Sequence, residues 1–217
     1  MKYIDSDAAS VSDIVYRLFL NTETDVQILK PVFLGILGDT GTFQYLSYKQ
    51  VYVYDIAKKI QEICKVEIPT FKTAYELKSK KIVDILLEFM TNTQYMHVDG
   101  WPDFTLTYVT REVFTKYQCD ENDISEASHW YMLEFMRVIK GYSWGIICSP
   151  KKDGRYGFSI RSLPGSVSAR SIGERTGKGG GHDRAGGGTI EPTGGNPVTH
   201  EEVVNYLLDW LSKNANI

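Results

Sequence analysis

Two stretches of this 217-residue chain hold residues whose types and spacing could do chemistry. Between Gly173 and Gly195 stand ten of its nineteen glycines, within the run Gly177-Lys178-Gly179-Gly180-Gly181-His182-Asp183-Arg184-Ala185-Gly186-Gly187-Gly188. Glycine gives up more backbone freedom on folding than any other residue. Such density between well-patterned segments therefore points to a backbone that takes positive φ or comes very close to something. Successive amides in a loop of this kind make an anion nest, to which Lys178, His182 and Arg184 add donors; the chemistry is the gripping of a phosphate. The competing reading is a flexible surface linker. The lack of Ser-Gly monotony, and the single histidine directly after three glycines, speak against it. Arg161, ending the run Tyr156-Gly157-Phe158-Ser159-Ile160, is the second candidate, because a guanidinium forks two hydrogen bonds onto a phosphate or carboxylate. Its plain reading is a solvated surface charge, and it is expected to oppose Tyr156 only if the strand alternation slips.

The second stretch is Gly38-Asp39-Thr40-Gly41. There an acid sits between glycines after an apolar helix, exposed enough to reach a divalent metal. The plain reading is a helix-terminal turn acid. A two-metal hydrolytic centre needs several carboxylates, usually with histidine. No histidine precedes His97, and the early acids able to join Asp39 are Asp5, Asp7 and Asp13, of which Asp13 already reads as a helix-start residue. His97, His129 and His200 lack ligand spacing and read as structural or surface residues.

These residues must be positioned by elements that the pattern itself indicates. A helix of about ten residues starts near Ser10, with Asp13 in capping-box spacing. A second runs from about Val26 to Leu37, and a third from about Gln50 to Cys64, before Pro69 breaks the chain. From Lys72 to Met90, Leu77, Ile82, Ile85, Leu86 and Phe89 recur at helical spacing and predict a long connecting helix. Phe104, Leu106 and Tyr108 then alternate with threonines as a half-buried strand does, and a helix over about Glu121 to Lys140 is closed by Gly141. Ser143–Ser149 and Arg155–Arg161 flank turn residues and predict a hairpin. A helix at Ser166–Arg175 leads into the glycine loop, and a last helix starts at Thr199 with Glu202 three residues on. The expected organisation is a helical piece over 1–68, a connecting helix over 69–92 and a mixed-sheet α/β unit over 93–217.

Composition bounds the function classes. A hydrophobic fraction of 42% with 24% charged residues describes an ordinary globular protein. No apolar stretch reaches membrane-span length, and the first residues lack a signal-peptide core, so a cytoplasmic protein without a membrane partner is expected. Cys64, Cys119 and Cys148 are odd in number and far apart, which suits a reducing compartment and buried thiols. The net charge of −3 argues against a general polyanion binder. Yet residues 1–40 hold six acids against three bases, and residues 151–184 hold eight bases against three acids. One end suits cations and the other anions.

Taken together, two segments resemble the DHH phosphoesterases. Leu34-Gly35-Ile36-Leu37-Gly38-Asp39-Thr40-Gly41-Thr42-Phe43-Gln44-Tyr45 is similar to their G-I-x-x-D-T-G-x-F-x-Y motif. Gly179-Gly180-Gly181-His182, preceded by Ser159-Ile160-Arg161-Ser162, is similar to the GGGH signature of their DHH-associated domain. Asp7-Ala8-Ala9-Ser10 before a helix is similar to the segment that follows their DHH triad, so the resemblance spans nearly the whole chain. The triad itself and the His-x-x-Pro-Asp-x-Asp run are absent.

The resemblance implies a partial, helical DHH domain joined to a mixed-sheet α/β DHH-associated domain. The activity implied is metal-dependent hydrolysis, with manganese or magnesium, of short oligonucleotides or 3′,5′-bisphosphate nucleotides. By the same resemblance Asp39 is the catalytic metal ligand, and Arg161, Ser162, Gly179, Gly180, Gly181 and His182 contact substrate. The metal site is expected to be incomplete in this chain and the chain alone nearly inactive, with the remaining ligands in a missing N-terminal half. A homodimer is left open. The rival expectations are a nucleotide-binding module without chemistry and an RNA-contacting domain like that of alanyl-tRNA synthetases.

Overall fold

The computed structural model describes residues 3–69, 73, 77–136 and 138–215. Contacts divide the chain between Leu77 and Lys78 into two units.

The first unit is helical. Helix α1 (Val11–Phe19) begins where the Ser10 hydroxyl accepts the Asp13 N–H, and α2 (Val26–Asp39) begins at the Asp25 cap. A short 3-10 turn at Tyr48–Gln50 leads into α3 (Tyr52–Cys64), which ends on Lys65 in the left-handed region. Pro31 lies inside α2 and removes one of its hydrogen bonds, a change that costs roughly 3 kcal/mol in a helix interior. The helix persists because Leu29, Phe33, Ile36 and Leu37 are all buried along it. At roughly 1.5–3 kcal/mol for each such side chain, burial outweighs the proline several-fold. Val53, Ile56 and Ile60 of α3 complete this core.

The second unit is a mixed six-stranded sheet with helices on its two faces. Its elements, in chain order, are α4 (Lys80–Thr91), β1 (Gln94–Met96), β2 (Phe104–Tyr108), α5 (Val113–Lys116), α6 (Glu121–Tyr131), β3 (Trp144–Pro150), β4 (Tyr156–Ser162), α7 (Ala169–Arg175), β5 (Gly179–His182), β6 (Ala185–Ile190) and α8 (His200–Lys213). The strand order is β1-β2-β3-β4-β6-β5; β2 and β3 run parallel, and the other neighbours run antiparallel. Alternation along the strands sorts the two cores. Phe104, Leu106, Ile146, Cys148, Tyr156, Phe158 and Ile160 join α7 and α8 on one face, while Ile147 joins α4 and α6 on the other. Both faces of β2 and β3 are therefore buried, as a parallel pair requires.

Several expectations meet corrections here. The long connecting helix from Lys72 is interrupted: Thr73 is helical, but Leu77 to Ser79 are not, and the continuous helix begins at Lys80, where the Ser79 hydroxyl accepts the Ile82 N–H and caps it. Residues 72 and 74–76 of that expectation lie outside the described residues. The helix over Glu121–Lys140 ends at Tyr131 and is followed by one π-helical turn, Met132–Met136; Gly141, at φ +94°, stands at the expected stop. The strand β1 and the short helix α5 have no counterpart in the sequence reading. The largest correction concerns the glycine-rich segment, which is a paired β-hairpin, β5–β6, at one edge of the sheet.

Candidate functional site

The β5–β6 hairpin explains most of its own glycines. A Cβ on Gly179 would sit 1.8 Å from the Gly187 carbonyl oxygen, and one on Gly186 would sit 2.3 Å from that of Ala169 in α7. Gly173 of α7 lies so close to β5 that its own Cβ would be 2.8 Å from the Gly180 carbonyl oxygen. Helix and hairpin thus pack backbone on backbone, which only glycine allows. Gly180 is different: its Cβ would meet only the flexible Glu174 side chain, at 3.7 Å. The expected anion nest is not formed by this stretch, since a nest needs consecutive amides converging in a turn and here they lie along a paired strand. The flexible-linker reading fails for the same reason.

What the hairpin does supply is a place in the sheet. Arg161 on β4 pairs with Ala185 on β6, and Ala185 pairs with His182 on β5, so Arg161 and His182 share one row across three strands. At about 4.8 Å per strand their backbones stand roughly 10 Å apart, with only a methyl group between them. The expected slip in alternation is unnecessary. Tyr156, Phe158, Ile160 and Ser162 are buried on the face toward α7 and α8, and the half-buried Ser159 and Arg161 take the opposite face. Arg161 Nη1 donates to the Ile160 carbonyl at 2.9 Å and more weakly to that of Gly186 at 3.4 Å, so the guanidinium lies along the strand toward β6. Opposite Arg161 on β3 is Gly145, where a side chain would collide with Thr105 and Met136.

Other basic residues gather near this end. The Arg184 guanidinium donates to the Leu163 carbonyl and pairs with Asp183 at 3.6 Å, while Arg170 Nε donates to the Gly181 carbonyl at 2.9 Å. Lys178, His182 and Arg184 are exposed. Ser162 departs from expectation: it is only 5% exposed, and its hydroxyl has no hydrogen-bond partner among the described residues. It belongs to the face covered by α7 and α8, away from Arg161 and Ser159.

In the first unit Asp39 is the last residue of α2 and is exposed. Thr40 holds the turn that follows, its hydroxyl donating to the Ile36 carbonyl at 2.7 Å and accepting the Phe43 N–H at 3.1 Å. Gly41, Thr42 and Phe43 all have positive φ, at 56°, 55° and 71°. For Thr42 and Phe43 this costs of order 1 kcal/mol or more each. Phe43 recovers some of that by packing against Tyr54 and the helical core, and the Tyr45 ring lies where a Gly41 side chain would be. The Asp-Thr-Gly-Thr-Phe-Gln-Tyr run is therefore a strained turn that displays one carboxylate at a helix C-terminus. The partial negative charge of that helix end adds to the attraction for a cation.

Of the other early acids, Asp7 is exposed and lies 3.4 Å from Lys49, and Asp5 and Asp13 are bound more closely. Asp13 is fully buried and accepts from the Ala9 N–H (3.0 Å), Arg17 Nε (2.7 Å) and the Tyr52 hydroxyl (2.6 Å). Arg17 also bonds Asp5 at 2.7 Å, holding the Asp5 carboxyl below its ordinary range. Burial, then the bond to Asp13, pushes the Tyr52 hydroxyl up to about 12. Among the described residues no three His, Cys, Asp or Glu side chains come together as a metal-holding group. Asp39 is thus not part of any such group among the described residues.

The remaining histidines have plain environments. His200 stacks on Tyr108 at 4.4 Å, and His129 meets the Trp130 ring edge-on. His97 Nδ1 bonds Asp103 at 2.8 Å, and this contact, reinforced by Asp99, raises its pKa above the ordinary 6.5. A raised folded pKa means that the pair contributes stability below the ordinary imidazole value and loses it as pH rises through the folded one. In a proton-NMR titration the His97 ring should show the elevated midpoint, and Asp103→Asn should return it toward 6.5; an unshifted wild-type midpoint would show that the contact does not persist.

No family model and no curated protein matches this sequence. Solved structures do. An exopolyphosphatase-related protein from Bacteroides fragilis aligns over 100% of this chain and 64% of its own, at 17% identity and a TM-score of 0.75. A pGpG-specific phosphodiesterase from Vibrio cholerae (16% identity, 93% of this chain, 65% of its own, TM-score 0.40) is a looser match. So is the DHH domain of a member of the s1p family of ribosomal proteins (14%, 90%, 52%, TM-score 0.45). This chain spans less than two-thirds of the length of each. At these identities likeness speaks to fold, and only the first is close enough to bear on this chain. The chain shares the mixed α/β fold of the exopolyphosphatase-related protein, and that is the kind of fold its DHH resemblance implies.

Proposed function

We propose that this chain is the substrate-gripping part of a metal-dependent phosphoesterase of the DHH kind, acting on short oligonucleotides or 3′,5′-bisphosphate nucleotides. The observation that carries the reading is the cross-strand row Arg161–Ala185–His182. It joins two residues 21 positions apart, each of which the sequence resemblance marks as a phosphate contact. In this reading Arg161 forks onto the phosphate, and His182 donates from the far side of the row. The exposed Lys178 and Arg184 draw the anion in. Charge building on the phosphate during hydrolysis would be offset by the same donors. Asp39 would give one oxygen ligand to a divalent metal, manganese or magnesium, that activates water when bound; the other ligands would come from sequence outside this chain.

A second reading, a nucleotide- or RNA-binding module without chemistry, is favoured by one observation: among the described residues no three His, Cys, Asp or Glu side chains gather where a metal could be held. Both readings require phosphate binding. Calorimetry with adenosine 3′,5′-bisphosphate should show saturable binding by the wild type, weakened at least tenfold in His182→Ala, as fits the loss of one hydrogen bond to a charged group. Equal binding by both proteins, or by neither, would remove both readings. Hydrolysis of a dinucleotide by this chain with manganese, at a rate typical of a complete enzyme, would contradict the single-ligand account and leave the module reading without support.

A further inference from the structure

Ser159 carries a hydroxyl on the strand of Arg161, two residues before it. Ser159 pairs with Ile147 on β3, whose side chain enters the core beneath α4 and α6, and with Gly187 on β6; Gly187 in turn pairs with Gly180 on β5. Ser159 therefore lies on the face of Arg161, one pleat along the same strand. It stands in a row whose other two members on β6 and β5 are glycines. Cross-strand partners share a face, and residues two apart on a strand share it too. Ser159 and Arg161 thus share one face of β4, with the side-chain-free Gly187 beside Ser159 on β6, while a Cβ on Gly180 of β5 would look toward Glu174 of α7. Ser159 is half-buried, and among the described residues its hydroxyl has no hydrogen-bond partner. Ser162, the serine that the sequence resemblance marks for substrate, is buried on the other face.

We propose that Ser159 is a further ligand-contacting residue, its hydroxyl donating to the same phosphate group that Arg161 and His182 hold. The proposal rests on the phosphate-binding reading above and adds to it the residue and the group contacted. A serine hydroxyl rotates freely and donates one hydrogen bond, which suits an anionic oxygen arriving over Gly187, where no side chain intervenes. One such bond to a charged acceptor is worth about a factor of ten in affinity.

The test is calorimetry on the whole chain with two probes, inorganic phosphate and adenosine 3′,5′-bisphosphate, for wild type, Ser159→Ala, Ser159→Thr and His182→Ala. Ser159→Ala should bind both probes about tenfold more weakly at an unchanged melting temperature, and Ser159→Thr, which restores the hydroxyl, should recover most of the loss. If Ser159→Ala matches wild type while His182→Ala is weakened, the proposal fails and the phosphate-binding reading stands. Weakening toward the nucleotide alone would also overturn the proposal, since the hydroxyl would then serve the sugar or base. If the wild type binds neither probe, the underlying reading fails first.

Discussion

Gly179→Ala is expected to destabilise the second unit by about 3 kcal/mol or more, enough to open the β5–β6 hairpin, whereas Gly180→Ala, one residue on, is expected to be nearly silent. The new methyl at 179 would sit 1.8 Å from the Gly187 carbonyl oxygen and 2.5 Å from the Gly188 Cα. Both are backbone atoms of the paired strand, and neither can yield without breaking the ladder. At 180 the methyl would meet only Glu174 Cγ at 3.7 Å, an ordinary contact, and φ there is not positive. Alanine should even add a few tenths of a kcal/mol there by restricting the unfolded chain. Urea unfolding of the two variants decides the matter. Equal losses would mean that the hairpin is not packed as described, and a tolerated Gly179→Ala would mean that β5 does not pair with β6 in this register.

Arg111→Ala should be comparably damaging, by about 3 kcal/mol, although nothing about Arg111 suggests function. Its guanidinium donates to four carbonyls: Val198 at 3.1 Å, Lys151 at 2.6 Å, Arg155 at 2.7 Å, and Gly154. These belong to the turn between β3 and β4 and to the approach to α8, and the guanidinium also lies 5.8 Å from the centre of the Tyr156 ring. Removing the donor strands several half-buried carbonyls at once, and leaving such acceptors unmade costs more than an average bond contributes. Lysine cannot repair this, because a point charge does not reproduce a planar fork. Arg111→Lys should therefore recover only a minor part of the thermal stability that Arg111→Ala loses; full recovery would mean that charge, rather than the forked geometry, holds these turns together.

The contrast between these residues shows what could be read from the sequence. Signals confined to a few neighbouring positions were legible: the Thr199–Glu202 capping box, Ser10 before α1, and the β3–β4 strands around their turn, each within about one residue of its place. The β5–β6 hairpin was not legible. Glycines carry no alternation and little strand preference, and the reason for them lies in α7, whose backbone approaches too closely for any side chain. Arg111 gave no signal because its acceptors lie 40 to 87 residues away. Asp39, Arg161 and His182 are singled out by motif resemblance, and the structure adds that the last two share a row. The choice between Ser159 and Ser162 depended on which face is buried, a property of the assembled sheet.

The central claim is that the Arg161–Ala185–His182 row binds an anionic phosphate. Amide NMR with stepwise addition of inorganic phosphate tests it most directly. The account predicts saturable shifts centred on Ser159, Gly180, Gly181, His182 and Ala185, together with the Arg161 side-chain N–H. Shifts confined to other parts of the second unit, or none at concentrations that saturate ordinary phosphate sites, would contradict it.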